Sequence, residues 1–269
     1  VGIPKTVDND LPYTDCSPGF GSVAKYIATS TLEAGLDVKS MAETSTKVFI
    51  LEVMGRHAGW IAAASCLAAT KAGDPPHIIL LPEVPFEKSK FITQVKQTVK
   101  EQGYCVIVAS EGTQTKNGKF LADSGLTDAF GHKQLGGVAP VLAGMISKIG
   151  LKNHWAVADY LQRSARHIAS KTDLDQAYAV GEHAVKLAIS GKTALMPIIK
   201  RTSDSPYKWK IATAPLKNVA NIEKTMPKKF ISKNGFEITQ AGKTYLSPLI
   251  KGEAPIKYVN GLPDIAELK

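Results

Sequence analysis

No apolar run in this chain reaches the roughly 18–20 residues needed to cross a bilayer. The most apolar stretches, residues 48–53, 61–69 and 78–81, are broken by charge, polar residues or proline. They read as core strands and a core helix, so no membrane partner is expected. Cysteine is scarce. Cys16, Cys66 and Cys105 make an odd count without metal-ligand spacing, which fits reduced thiols in a cytoplasmic protein rather than a disulfide framework. The six histidines form no His-x-x-x-His pair and no Cys/His cluster, so a zinc site is not expected. Repeats, low-complexity tracts and long linkers are absent too. The first residues lack the basic, then apolar, then small pattern of a secretion signal, and Val1 is not an initiator methionine.

What is present is an ordinary globular composition with a basic excess. The chain has 269 residues, 44% hydrophobic, enough for one large core or two modest ones. Its 33 Lys+Arg against 24 Asp+Glu give a formal charge of +9, which suits anionic partners. A nucleic-acid surface would interleave basic clusters with aromatics. Here the lysines are dispersed. Their densest group, Lys224, Lys228 and Lys229, surrounds a proline and reads as a solvated basic face. No nucleic-acid partner is expected.

Helices and strands alternate along the first half. Residues 20–36 have helical periodicity after Ser17-Pro18-Gly19, and 47–53 form a buried strand ending at Met54-Gly55. An alanine-rich helix over 58–72 stops at Gly73-Asp74-Pro75-Pro76. A strand over 77–81, an amphipathic helix over 88–102 and a strand over 104–109 follow. This order predicts a parallel sheet covered by helices, with ligands beyond the carboxyl ends of its strands. Helices are expected over 134–149, 155–170 and 174–190, with Gly150 and Gly191 as C-terminal caps. After Lys200 the pattern weakens into short strands, prolines and lysines.

Four segments carry chemistry. The first, Pro4-Lys5-Thr6-Val7-Asp8-Asn9-Asp10, gathers two carboxylates, a hydroxyl and a lysine within six residues. Phosphoryl transfer uses such a set, although Asp-Asn-Asp also suits an Asx-type turn. In the second, Glu52-Val53-Met54-Gly55-Arg56-His57-Ala58-Gly59-Trp60, a strand ends at a glycine and an arginine opens the next helix. Backbone N–H groups and a guanidinium there would grip phosphate, but the same residues also serve as a plain turn with a surface charge. The third, Ser110-Glu111-Gly112, puts an acid at the end of an apolar strand, either to accept sugar hydroxyls or simply as a solvated acid. In the fourth, Asp159-Tyr160-Leu161-Gln162-Arg163, Tyr160 and Arg163 share a helix face as a phosphate clamp or an amphipathic pair.

Together, in order and approximate spacing, these segments resemble the phosphofructokinase family, over residues 1 to about 195. The resemblance implies two Rossmann-like three-layer α/β/α domains with parallel-rich sheets and interleaved crossings. Residues 1–18 would belong to a larger donor-side domain and 19–150 to a sugar-phosphate-side domain. Residues 151–195 would return to the donor side, and 196–269 would form a C-terminal extension. Asp8 is implied as the general base on the 1-hydroxyl of fructose 6-phosphate, kept ionised by Lys5 and Arg56. Thr6 would contact the reacting groups, Arg56 would stabilise the transferring phosphoryl, and Met54 and Gly55 would line the fructose pocket. Glu111 would accept from sugar hydroxyls. Tyr160 and Arg163 would bind the 6-phosphate, with Lys47 reaching it from a neighbouring subunit of a homo-oligomer. Asp10 would help organise Mg2+.

Lys5 resembles the lysine that pyrophosphate-using members place against the donor, where it replaces binding energy that ATP draws from adenosine. The stretch from Phe130 to Gly137 and the run from Trp155 to Asp159 are similar to the same members. Pyrophosphate is therefore the expected donor, in a reversible step of glycolysis and gluconeogenesis. The alternatives are an ATP-dependent enzyme and a non-catalytic sugar-phosphate-binding subunit. The family's glycine-rich donor loops precede the catalytic loop and are not in this sequence. The expectation is thus a nicked, processed or truncated enzyme whose N-terminal part is supplied separately. This chain alone would bind fructose 6-phosphate poorly and would not turn it over.

Overall fold

Strand β1 (Val48–Val53) alternates its side chains between two cores, and the architecture follows from that alternation. In this computed structural model, residues 1–127, 133–135 and 137–266 are described. Val48 and Ile50 point to one face and Leu51 and Val53 to the other, all buried. The first face meets α3 (Lys88–Gln102) and α4 (Val138–Ser147) through Phe91, Val95 and Leu142. The second meets α1 (Phe20–Met41) and α2 (Trp60–Ala64) through Phe20, Ile27 and Ile61. Strands β2 (Ile78–Leu80), β3 (Cys105–Ser110) and β6 (Asn153–Val157) complete a sheet in the order β2-β3-β1-β6, every pairing parallel. The expected three-layer α/β/α arrangement is therefore present. A second parallel sheet is not formed among the described residues, whose other paired strands run antiparallel.

Two helices differ from expectation at their ends. α3 matches its expected limits, closed by Gly103 with φ 82°. α1 continues past Leu36 to Met41 because Val38 is buried against Tyr104 and Val106. The 58–72 helix is shorter. After α2 the chain tightens into a 3₁₀ turn at Ser65–Ala68, where the Ser65 hydroxyl donates to the Ala62 carbonyl at 2.5 Å. Asp74 then accepts the Thr70 and Lys71 N–H groups, holding that segment outside a helix.

Two further expectations are overturned. The 134–149 helix starts only at Val138; Lys133–Leu135 is strand β5, paired with β4 (Asp123–Thr127). Residues 130–132 and 136 of the motif read there lie outside the described residues. The 155–170 helix is instead β6, followed by α5 (Leu161–Ser164) and a 3₁₀ turn at Arg166–Ile168. The Ala158 N–H donates to the Glu52 carbonyl, and Asp159 then turns at φ 37°, so ladder bonding to β1 wins over local helical periodicity. α6 (Lys171–Ile189) ends as expected, with Gly191 at φ 71°, and Gly150 at φ 78° follows α4.

The tail has more structure than its sequence suggested. β7 (Leu195–Asp204) and β8 (Tyr207–Pro215) form a long antiparallel hairpin, and α7 (Gln240–Leu246) packs near α2. β7 holds the first residues of the chain: Gly2 N–H donates to the Leu195 carbonyl and Asp15 N–H to the Ile199 carbonyl. Ile199, Met226, Phe230, Leu246 and Leu249 join the same core as α1 and α2. All three cysteines are free and buried, as expected, and burial pushes the Cys66 thiol up to about 12.

Candidate active site

Two strand ends and one loop converge beyond the carboxyl edge of the sheet. At the end of β1, Gly55 has φ +125°, and a Cβ there would stand 2.6 Å from the Ala58 carbonyl oxygen. At the end of β3, a Cβ on Gly112 would lie 1.9 Å from the Arg56 carbonyl oxygen. Only glycine lets these two turns touch. Gly112 N–H donates to the Gly55 carbonyl at 3.3 Å, Gly55 N–H to Glu111 Oε1 at 3.4 Å, and the Ser110 hydroxyl to the Gly55 carbonyl. The strand–Gly–Arg and Ser–Glu–Gly motifs thus form one unit.

The loop carrying Lys5, Thr6, Asp8 and Asp10 lies against it. Thr6 Oγ1 accepts the Asp8 N–H at 3.1 Å, so the turn here is made by the threonine hydroxyl rather than by an Asx side chain of Asp-Asn-Asp. Asn9 takes φ 57° and is fully buried. Its side chain donates to Tyr245 Oη at 3.1 Å and accepts from Ser17 N–H at 3.1 Å. The central residue of the triplet is an anchor, which leaves the flanking carboxylates to face the site.

Asp8 differs from expectation in its electrostatics. Lys5 and Arg56 do lower its proton affinity. Burial, followed by the Asp10 and Glu111 carboxylates, outweighs them and pushes Asp8 up to about 6. The carboxylate is still mostly ionised at neutral pH, poised where a general base works well. Burial also raises Glu111, against the Gly55 N–H and Arg56. Asp8 Oδ1 and Arg56 Nε are both buried without a hydrogen-bond partner. Such atoms are rare, and an acid and a guanidinium in this state, near enough for the Arg56 charge to lower the Asp8 proton affinity, suit a ligand that would complete the bonding.

The remaining sequence candidates distribute unevenly. Lys5 and Asp10 line an open groove of 720 Å³ between the loop and Met196, Leu216 and Val219. Arg163 lines a separate cavity of 360 Å³ with Val7, Gly19, Ser22 and Gln162, on the other side of the loop. Arg166, which sequence reasoning missed, lines it too. Tyr160 is exposed, and its ring lies 4.3 Å beneath the Arg163 guanidinium, so the pair does share a face. Met54 is fixed by its own N–H, which donates to Gln162 Oε1 at 3.3 Å. Lys47 is not brought to this cluster within the chain. It sits at the opposite end of β1, roughly 20 Å away at ~3.3 Å per residue, where its ammonium donates to the Ala42 carbonyl.

The donor set suits magnesium. Mg2+ is usually held by one or two carboxylates together with substrate phosphates. Asp8 has an unpartnered oxygen, and Asp10 is near enough to raise its proton affinity. Among the described residues no group of three or more His, Cys, Asp or Glu side chains would hold a metal unaided.

Glu52, buried at the end of β1, looks like a site acid but is structural: its Oε2 accepts the Ala139 N–H at 2.7 Å at the start of α4. Lys224 was expected on a solvated face, and the structure corrects this. Its ammonium is enclosed and donates to Asn9 Oδ1 at 3.2 Å and to the Thr14 and Asp15 carbonyls at 3.0 Å each. Lys228 and Lys229 are exposed, as expected. Nothing local in the sequence separates Lys224 from them.

A parallel α/β sheet whose strand ends present a raised carboxylate and an arginine beside two cavities defines an α/β protein with its site beyond the carboxyl ends of its strands. The chain belongs to the phosphofructokinase family, whose model, described as "Phosphofructokinase", matches residues 1–188. It is 64% identical over its whole length to a protein of Halomonas elongata named pyrophosphate–fructose 6-phosphate 1-phosphotransferase, and 59% identical to one of the same name from Methylococcus capsulatus. It spans 64% of the length of each. The crystal structure of a pyrophosphate-dependent phosphofructokinase from Marinobacter aquaeolei superposes with a TM-score of 0.90 at 60% identity, over all of this chain and 64% of that one. These matches extend through the tail, beyond the 195 or so residues the motifs covered.

Proposed function

We propose that this chain carries the sugar-side and catalytic-loop residues for phosphoryl transfer from pyrophosphate to the 1-hydroxyl of fructose 6-phosphate, reversibly giving fructose 1,6-bisphosphate. The observation that carries the reading is that Asp8 Oδ1 and Arg56 Nε, whose charges feel one another, are both buried atoms without a hydrogen-bond partner. The similarity to phosphotransferases named for these substrates supports it. Asp8 takes the proton from the attacking hydroxyl, and its raised proton affinity, at about 6, makes it a stronger base than an ordinary aspartate. Arg56 stabilises charge on the transferring phosphoryl, and Thr6 holds Asp8 in its turn while contacting the reacting groups. Met54, Gly55 and Glu111 face the fructose ring, with Glu111 accepting from its hydroxyls. Arg163 meets the 6-phosphate in the 360 Å³ cavity with Tyr160 stacked beneath it.

Lys5 faces the 720 Å³ groove and reads as the donor contact, since pyrophosphate needs cationic positioning that ATP obtains partly from adenosine. Mg2+, held by Asp10 and Asp8 with the donor phosphates, would neutralise charge on the transferred group. Lys47 serves the 6-phosphate only across an interface, so its role rests on a homo-oligomer. A cytoplasmic setting in glycolysis and gluconeogenesis follows from the substrates. A coupled assay with fructose 6-phosphate, magnesium and either donor tests the reading. With the N-terminal part supplied, turnover with pyrophosphate is expected. Turnover with ATP alone would reassign the donor, and binding of fructose 6-phosphate without turnover by either donor would favour a non-catalytic subunit.

A further inference from the structure

The segment from Glu223 to Met226 lies between the two turns that build the site and bonds to both. On the catalytic-loop side, Lys224 N–H donates to the Asp10 carbonyl at 2.6 Å. Its ammonium donates to Asn9 Oδ1 and to the Thr14 and Asp15 carbonyls. On the Arg56 side, Glu223 Oε1 meets His57 Nδ1 at 2.5 Å, and Trp60 Nε1 donates to the Lys224 carbonyl at 3.0 Å. The ammonium also stands 5.3 Å from the Trp60 ring centroid. Met226 N–H shares Glu83 with Gly59 N–H. An ammonium has three N–H donors, and here all three are used on oxygens that follow Asp8 within seven residues.

We propose that Lys224 is the positioning residue of this site, its three ammonium bonds fixing the Asp8 loop while its backbone ties that loop to the turn presenting Arg56. The inference rests on the phosphoryl-transfer reading for its kinetic consequence, but its structural half stands apart from it. None of the three acceptors is a carboxylate. Lys224 therefore acts on oriented dipoles, a task that needs donors radiating from one point and that a planar guanidinium fills poorly. Facing the ammonium are the Asp15 and Asp10 carboxylates, the Cys16 thiol and the Arg201 guanidinium, with the Tyr245 hydroxyl donating to the same Asp15 carbonyl. Burial outweighs the acids and lowers Lys224 to about 8.

Lys224→Met, which keeps the stem and removes the donors, tests this in two independent ways. In amide hydrogen exchange on the purified chain, the Ser17 and Ile199 amides, both bonded to the clamped loop, should exchange at least about 10-fold faster while β1 amides do not change. Unchanged exchange at Ser17 and Ile199 overturns the proposal. Should β1 lose protection as well, Lys224→Arg decides. It keeps the charge without three donors from one point, and wild-type exchange in that variant also overturns the proposal. In turnover, Lys224→Met should lower kcat by about 10- to 100-fold, the cost of a misplaced reacting group, with KM for fructose 6-phosphate moved less than about 3-fold. Wild-type kcat in Lys224→Met sinks the positioning role. Asp8→Asn is the separate control: near-normal turnover there would sink the phosphoryl-transfer reading and leave the exchange result standing.

Discussion

Two buried polar clusters lie on either side of Asn9, and they are built on opposite principles. In the first, no charged group has a buried atom left without a hydrogen-bond partner. Arg201 donates to Asp15 Oδ2 at 3.0 Å, to Asp204 Oδ1 at 2.9 Å and to the Tyr245 carbonyl at 2.9 Å, between the Tyr207 and Tyr245 rings. Lys224 uses all three of its donors. In the second, Asp8, Arg56 and Glu111 carry raised acids and two orphaned atoms. Buried polarity by itself distinguishes neither. Saturation does: the first cluster holds backbone in place, while the second leaves bonding capacity unused, at a cost to the fold.

The sharpest break in this comparison is Asp8→Asn. It should lower turnover more than about 10²-fold as the general base is lost, while raising thermal stability, which calorimetry at pH 7 would register as a Tm higher by about 2 °C or more. The pH dependence follows from the same group. Its folded-state value of about 6 lies above the ordinary 3.8, so the folded form holds the extra proton between those values. Stability from Asp8 is full below about pH 4 and is lost as pH rises through 6. Activity runs the other way, with kcat/KM falling on the acid side of about pH 6. An Asp8→Asn variant that is slow but less stable than wild type would contradict this account.

Next in size is Arg201→Met, which leaves the part-buried Asp15 carboxylate without its partner. Breaking such a pair costs about 3 kcal/mol, to be read from denaturant midpoints, and the loss should exceed that of any single substitution among Asp8, Arg56 and Glu111. A smaller effect is expected from Gly112→Ala. Its methyl would push the Arg56 carbonyl out of place, and a displaced guanidinium should cost about 10-fold or more in kcat with little change in fructose 6-phosphate binding. Smallest is Thr14→Val. It removes the hydroxyl that accepts the Ile199 N–H and donates to the Cys16 carbonyl, a loss of about 1–2 kcal/mol in stability with the shape of the site preserved. A larger effect on turnover than on stability in Thr14→Val would blur the division between the clusters.

How much of this was legible beforehand follows the same divide. The unsaturated cluster could be read because its chemistry is local. Lys5, Thr6, Asp8 and Asp10 occupy one loop, and Gly55, Arg56, Glu111 and Gly112 stand where two predicted strands end. The saturated cluster could not. Lys224 sits 215 residues from Asn9 and Arg201 186 residues from Asp15, and neither has a local pattern that separates it from a surface cation. The 155–170 helix failed for a related reason: the Asn153–Val157 segment obtains its backbone partners from β1, a hundred residues earlier.

By itself the sequence determined the alternation that makes β1 and β3 a two-faced sheet, the glycines that let their ends meet, and the residue types that meet there. These depend on period-2 geometry, on steric room at a missing Cβ and on side-chain chemistry, all of which are written residue by residue. Tertiary structure alone decided which cations are buried, that Asp8 is tuned upward despite two cationic neighbours, and that the tail braces the catalytic loop. Burial and hydrogen-bond saturation belong to what surrounds a group in space, and a chain acquires those surroundings only by folding.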